Sequence, residues 1–299
     1  MRTLDTFHRE PTYWEPMRRA FFAAGLVCLL ACAASSALAH DQWLEPVTSR
    51  TAQGVTAEAH LFVGEAPFGD EEKVFERAKL SRLAIVSRNG AIDLLPSGVE
   101  GQKPLVSIPR LGDGEFVIAA DRTPVLIELE PAKFEAYLVE EGLSRIVQER
   151  AARGETTKRG RERYTRYTKA LLSAGEPVAH GMGQKLLGQK LEIVVESPLH
   201  PLRAGESIGV RVTFDGKPLA AAKVQASLRR LGAPPDTDAG SEELAATTDA
   251  LGRATFRVEA TGFLVLHLVH MRRCVERPSA PCPDADWESF WGSFTTAVR

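Results

Sequence analysis

The feature that most constrains this chain is its succession of short strand patterns, each closed by a turn signal. Residues 55–63 (VTAEAHLFV) alternate apolar and mostly polar side chains, the period of a half-buried strand. Residues 83–86 and 91–95 flank Asn89-Gly90, a hairpin turn, and 116–120 and 125–129 continue the series. After an interruption the pattern returns at 191–195, at 207–214 closed by Asp215-Gly216, and at 222–228, 247–258, 262–270 and 289–298. Such a chain is mainly β, with two β-sandwich-like regions. No repeat of solenoid period is present.

The interruption reads as a helical insert. Pro131 suits a first helical turn, and Phe134, Tyr137, Leu138, Ile146 and Val147 make an apolar stripe. Tyr164, Tyr167, Leu171 and Leu172, at i, i+3, i+7 and i+8, predict a second helical face, with Gly175 as its stop. The expected organisation is therefore a signal peptide at 1–39, an N-terminal β-sandwich-like domain at 40–130, the helical insert at 131–175 and a C-terminal immunoglobulin-like sandwich at 176–299.

The first segment carries Arg18 and Arg19, an apolar run from Ala20 to Ala34, and the small-x-small triplet Ala37-Leu38-Ala39. The run is short for a membrane span, which needs about 20 apolar residues. Cleavage after Ala39 leaves 260 of the 299 residues, starting at His40, in the periplasm. A lipoprotein-type cleavage at Cys32 is the weaker alternative, because Leu29 stands where a small residue is usual. Cys274 and Cys282 remain after export and predict a disulfide. With 37 Lys+Arg against 39 Asp+Glu there is no basic field to recruit nucleic acid. Lys158, Arg159, Arg161, Arg163, Arg166 and Lys169 form one local basic run, read first as a solvated helix face and second as an anion or partner contact.

Histidine is the informative residue type. A free α-amine and the imidazole of His40 chelate one ion, a donor set that suits Cu(II) or Ni(II). A histidine brace needs a second imidazole. His60 lies on the polar side of its strand, one hairpin length on. His270 ends an apolar strand, with the acidic Asp284 and Asp286 following in sequence. His180 sits in the loop Ala179-His180-Gly181-Met182-Gly183, and His200, near Pro198 and Pro201, reads as a turn residue. Trp43, Trp287 and Trp291 read as packing. The chain has no Gly-x-Ser-x-Gly elbow, no His-Glu-x-x-His and no P-loop, so no enzyme is expected.

Three stretches resemble one family: His40-Asp41-Gln42-Trp43-Leu44-Glu45-Pro46, Arg163-Tyr164-Thr165-Arg166-Tyr167-Thr168-Lys169-Ala170-Leu171-Leu172, and Val269-His270-Met271 with Asp284-Ala285-Asp286-Trp287-Glu288-Ser289-Phe290-Trp291. The family is domain of unknown function 4198, exported bacterial proteins often labelled periplasmic components of cobalt/nickel uptake. The resemblance implies a non-enzymatic binding protein for nickel or cobalt, or copper; the donor chemistry makes His40 the expected anchoring ligand, with His60, His270 and Asp286 as its partners. It also implies a membrane transporter or outer-membrane receptor as partner, with the mature chain itself not membrane-spanning. Separately, residues 215–224 with 248–254 resemble a carboxypeptidase-regulatory or Cna-B type sandwich, in which Ala221 replaces a usual Gly. Two further function classes stand beside metal uptake: a metal-free structural or partner-binding module, and a histidine-brace copper oxidase.

Overall fold

The structure is a computed structural model that describes residues 40–46, 50–69, 71–175, 181–197, 202–232, 241–275, 282 and 284–299. Residues 1–39, read above as a signal peptide, and His180 and His200 lie outside the described residues. In chain order the strands are β1 (Asp41–Pro46), β2 (Arg50–Thr51), β3 (Ala57–Gly64), β4 (Glu71–Glu72), β5 (Leu80–Ser87), β6 (Gly90–Asp93), β7 (Val106–Ile108), β8 (Gly114–Arg122) and β9 (Val125–Leu129). Helices α1 (Pro131–Glu140) and α2 (Ser144–Ala152) follow. Then come β10 (Gly160–Ala174), β11 (Leu191–Val195), β12 (Ser207–Phe214), β13 (Lys217–Pro218), β14 (Lys223–Arg230), β15 (Ser241–Thr247), β16 (Arg253–Arg257), β17 (Gly262–Arg273) and β18 (Trp287–Val298). The fold is mainly β, as the alternation predicts. None of the described helices is long and apolar enough to cross a membrane.

Three sheets form. A ten-stranded sheet runs β15-β14-β17-β18-β10-β8-β5-β6, with β2 and β9 also on β10. A four-stranded sheet of β1, β3, β4 and β7 and another of β11, β12, β13 and β16 accompany it. The central strand β10 pairs with β8 of the first β region and, in parallel, with β18 of the second. One sheet therefore runs through both regions.

The second helix expected in the insert is a correction: residues 160–174 form a 15-residue strand. Tyr and Thr favour a pleated, half-buried surface. The two-residue period places Glu162, Tyr164, Arg166 and Thr168 on one face and Arg163, Thr165, Tyr167 and Lys169 on the other. Spacings of three and seven satisfied a helical template by coincidence, while sheet pairing on both sides decides the matter. The helical part of the insert is α1 and α2 alone, where Phe134, Tyr137, Leu138 and Ile146 are buried.

Two large apolar cores lie among the described residues. Leu264, Leu266, Leu268, Phe290 and Phe294 of the large sheet pack with Leu191, Ile193, Val210 and Val212 of the β11–β12 sheet. Leu83, Ile85, Ile118 and Leu172 pack with Leu44, Ala59 and Leu61. The opposite face of β14, β17, β18 and β10 carries Gln225, Ser227, His267, Ser289, Trp291, Ser293, Glu162 and Arg166. That polar face meets β1 and α1, and this positions the site.

Candidate functional site beneath the amino-terminal strand

Strand β1 is tied down by residues far away in sequence. Asp41 Oδ1 lies 2.8 Å from His267 Nδ1; the imidazole is buried and the carboxylate half-buried. His267 Nε2 lies 3.3 Å from Ser227 Oγ. Arg166 Nη2 donates to the His40 carbonyl at 2.7 Å, and Nη1 to Gln42 Oε1 at 3.4 Å. Thr295 Oγ1 donates to the Leu44 carbonyl at 2.7 Å. Glu45 closes an ion pair with Arg229. The indole of Trp43 is fully buried with Val265 and Ala66.

Electrostatics in this layer follow from burial. Burial opposes charge on His267, but the Asp41 carboxylate at hydrogen-bond distance outweighs it and raises the imidazole above its ordinary value. Glu141, just past α1, is pushed up to about 8 by burial and then by the negative charge of Asp41. A second buried carboxylate, Glu162, is pushed up to about 7 by burial. It accepts from Tyr137 Oη at 3.2 Å and from Ser289 Oγ, which in turn accepts from Trp291 Nε1 at 3.2 Å. The Tyr137 and Trp291 rings stack at 5.9 Å.

The order Ser227–His267–Asp41 is that of a relay, but Ser227 is 4% exposed and sits mid-strand. Such a hydroxyl fastens a strand rather than presenting a nucleophile.

The residues expected as ligands lie apart. His40 is part-buried at the start of β1. His60 faces Glu45 across the β1–β3 pair, five residues along β1 from His40 and so about 17 Å away at strand rise. Its Nδ1 lies 2.7 Å from Glu72, and its Nε2 lies 3.9 Å from Glu58. His270 packs at 4.5 Å between ring centroids against Phe214. Burial, then the charges of Arg145 and Arg272, push it down to about 4. Asp286 makes two hydrogen bonds with Arg161, at 3.0 and 2.8 Å, which hold its carboxyl below the usual range. The backbone of Asp286 pairs with Cys274, four residues beyond His270. His40, His60, His270 and Asp286 thus do not form one coordination sphere in this structure.

Among the described residues one trio of potential ligand atoms clusters within 4.8 Å, Cys274, Cys282 and Glu288. The two cysteines form the expected disulfide, and Glu288 pairs with Arg163 and Arg272. The buried Lys169–Glu192 pair, at 3.0 Å, is also closed: Glu192 accepts from the backbone of Leu187, Gly188 and Gln189.

Sequence reasoning passed over His267, Glu141 and Glu162. A histidine inside the apolar run Leu264-Val265-Leu266-His267-Leu268-Val269 was the available signal, since a buried imidazole needs a polar partner.

The three stretches that carried the family resemblance meet in this layer: Asp41 and Gln42 from the first, Arg166 from the second, Ser289 and Trp291 from the third. A family model described as "Domain of unknown function (DUF4198)" matches residues 37–272. The chain belongs to this family. No curated protein matches the chain. Among solved structures it is similar to a tetra-tandem repeat from the extending region of a large adhesion protein, at 9% identity and a TM-score of 0.21. That match covers 87% of this chain and 50% of the other. A Salmonella alpha-2-macroglobulin variant matches at 13% identity and a TM-score of 0.22, over 86% of this chain and 16% of that one. The D00-D0 domain of intimin matches at 12% identity and 0.19, over 86% and 99%. The chain spans half or less of the first two. Likenesses this distant carry no functional argument for the DUF4198 chain.

Proposed function

We propose that the mature chain is an exported, non-enzymatic binding protein that takes one transition-metal ion, Ni(II), Co(II) or Cu(II), at its amino end and serves a membrane uptake partner. The observation that carries this reading is the clamp on residue 40: the compact unit starts at His40, and Arg166 holds the His40 carbonyl at 2.7 Å. Cleavage after Ala39 would leave the α-amine and imidazole of His40 on a strand fixed from both sides. These two nitrogens suit Ni(II) and Cu(II). Metal binding needs the amine neutral, so binding through this pair should strengthen as pH rises.

His40 fits the role by its donor chemistry. His60, His270 and Asp286 do not fit as its partners, because each is engaged elsewhere. Among the described residues, neither His60 nor His270 brings a second imidazole to this position for a brace-type oxidase. The metal-free module is favoured by one observation, that Asp41 and Arg166 both serve to fasten β1.

The test is intact mass and calorimetric metal titration on protein secreted through its own signal, beside His40→Ala, His60→Ala and His270→Ala. The expected result is a mass starting at His40 and one ion bound, lost in H40A and kept in the other two. A correct amino terminus with no binding, or binding unchanged in H40A, would overturn the reading in favour of the metal-free module.

A further inference from the structure

The Cys274–Cys282 disulfide joins residues eight apart in sequence at the open end of the β17–β18 hairpin. The hairpin is closed without it. Strands β17 and β18 pair from Gly262 opposite Val298 to Arg273 opposite Trp287, and the Cys274 amide donates to the Asp286 carbonyl at 2.8 Å. So short a link removes little loop entropy from the unfolded chain. Disulfides are indispensable to small domains that lack a core, whereas two large cores carry this fold. The bond can therefore open while the fold stays intact.

Its surroundings are charged. Arg163 Nη2 lies 3.9 Å from Cys274 Sγ. Glu288 brings a carboxylate oxygen within 4.8 Å of both sulfurs, and it pairs with Arg163 of β10 and with Arg272, its cross-strand neighbour on β17. Two guanidiniums and one carboxylate leave a net positive charge beside the bond. Both cysteines are part-exposed, while Glu288 is buried. Exposed disulfides are the labile ones, and the sulfur whose thiolate is better stabilised leaves faster in exchange. Arg163 gives that advantage to Cys274.

We propose that Cys274–Cys282 is a thiol–disulfide exchange site whose substrates are low-molecular-weight thiols. A thiolate attacks Cys282 Sγ, the S–S bond breaks, and Cys274 Sγ leaves with the electron pair as a thiolate beside Arg163. A second thiolate attacks the outer sulfur of the mixed disulfide and releases Cys282. Two thiols are thereby oxidised to one disulfide, the cysteine pair gains two electrons, and the two thiol protons pass to the cysteines or to solvent. In reverse, the reduced pair reduces a small disulfide. Arg163 and Glu288 set the stability of the departing thiolate in opposite senses. The proposal goes beyond the metal reading and does not depend on it.

The test incubates the oxidised full chain, secreted through its own signal, with reduced glutathione and a chelator under native conditions. Acid quenching and peptide mapping by mass give the rate and the site of attack. The expected result is a mixed disulfide on Cys282, formed faster than the protein unfolds. Arg163→Met should slow the reaction about threefold or more and Glu288→Gln should speed it, while Arg163→Lys, which keeps the charge, should stay near the wild-type rate. A hairpin merely loosened by substitution would react faster in both R163M and E288Q, so opposite directions identify the charge effect. Circular dichroism establishes that each variant is folded, and E288Q decides alone if R163M is not. Reduction no faster than unfolding, first attachment at Cys274, a folded R163M as fast as the wild type, or an E288Q no faster than it would each overturn the proposal. With the chelator present, failure here leaves the His40 chelate standing, and loss of metal binding in H40A leaves the exchange site standing.

Discussion

Asp41 is the second residue after the expected cleavage point, yet it is the partner of a histidine more than two hundred residues later. Neither group is tolerable alone in this layer, since breaking a buried pair leaves an uncompensated charge or an unsatisfied ring. Asp41→Asn keeps the shape and removes the charge. It should destabilise the protein by about 1–3 kcal/mol, the usual cost of weakening a charge-assisted buried hydrogen bond. The His267 imidazole should then titrate below its wild-type value, because burial is no longer opposed by a carboxylate. Denaturant midpoints and ring-proton chemical shifts of His267 against pH measure both effects. Unchanged stability would mean that Asp41 does not fasten β1. The lone imidazole in the Leu264–Val269 run was legible beforehand, but its partner was not, because nothing local to His267 is acidic.

At the scale of elements, β10 shows how a period can mislead. Its residues satisfied a helical stripe, and only the neighbours on both sides made it a strand. By contrast the Asp215-Gly216 turn was plain from sequence. Ala221, standing where the resembled sandwich has Gly, adopts φ +55°. That left-handed backbone costs an L-residue about 1–2 kcal/mol, part of which glycine returns through its freer unfolded chain. Ala221→Gly should therefore stabilise the protein by about 0.5–1 kcal/mol. A higher melting temperature with unchanged far-UV dichroism is the expected record, and a lower one would show that the Ala221 methyl contributes packing that outweighs the strain.

For the whole molecule, burying carboxylates under β1 and α1 makes stability depend on pH. Glu141 rises to about 8 on folding, from an ordinary carboxylate value of 4.5. The folded state then holds a proton that the unfolded state has released. Stability from this group is fully present below pH 4.5 and is lost as pH rises toward about 8. Glu162 acts in the same sense, up to about 7. His270 acts oppositely: held at about 4, it contributes above pH 6.5 and loses that contribution as pH falls. Glu141→Gln isolates one term. The stability of E141Q minus that of the wild type should climb between pH 4.5 and 8 and level off beyond, as read by urea unfolding across that range. A flat difference would mean that Glu141 is ionised in the folded protein.

The mainly β class, most strands, the helical start at Pro131 and the cysteine pair were determined by the sequence alone, because alternation, turn residues and spacing are local properties. The family was legible too, through three short stretches far apart in the chain. Only the tertiary structure decided that those stretches meet in one buried polar layer, that residues 160–174 are a central strand, and that His40, His60, His270 and Asp286 stand apart. Those are outcomes of sheet pairing, in which the register between strands sets which side chains become neighbours, and register between distant strands is written in no single segment.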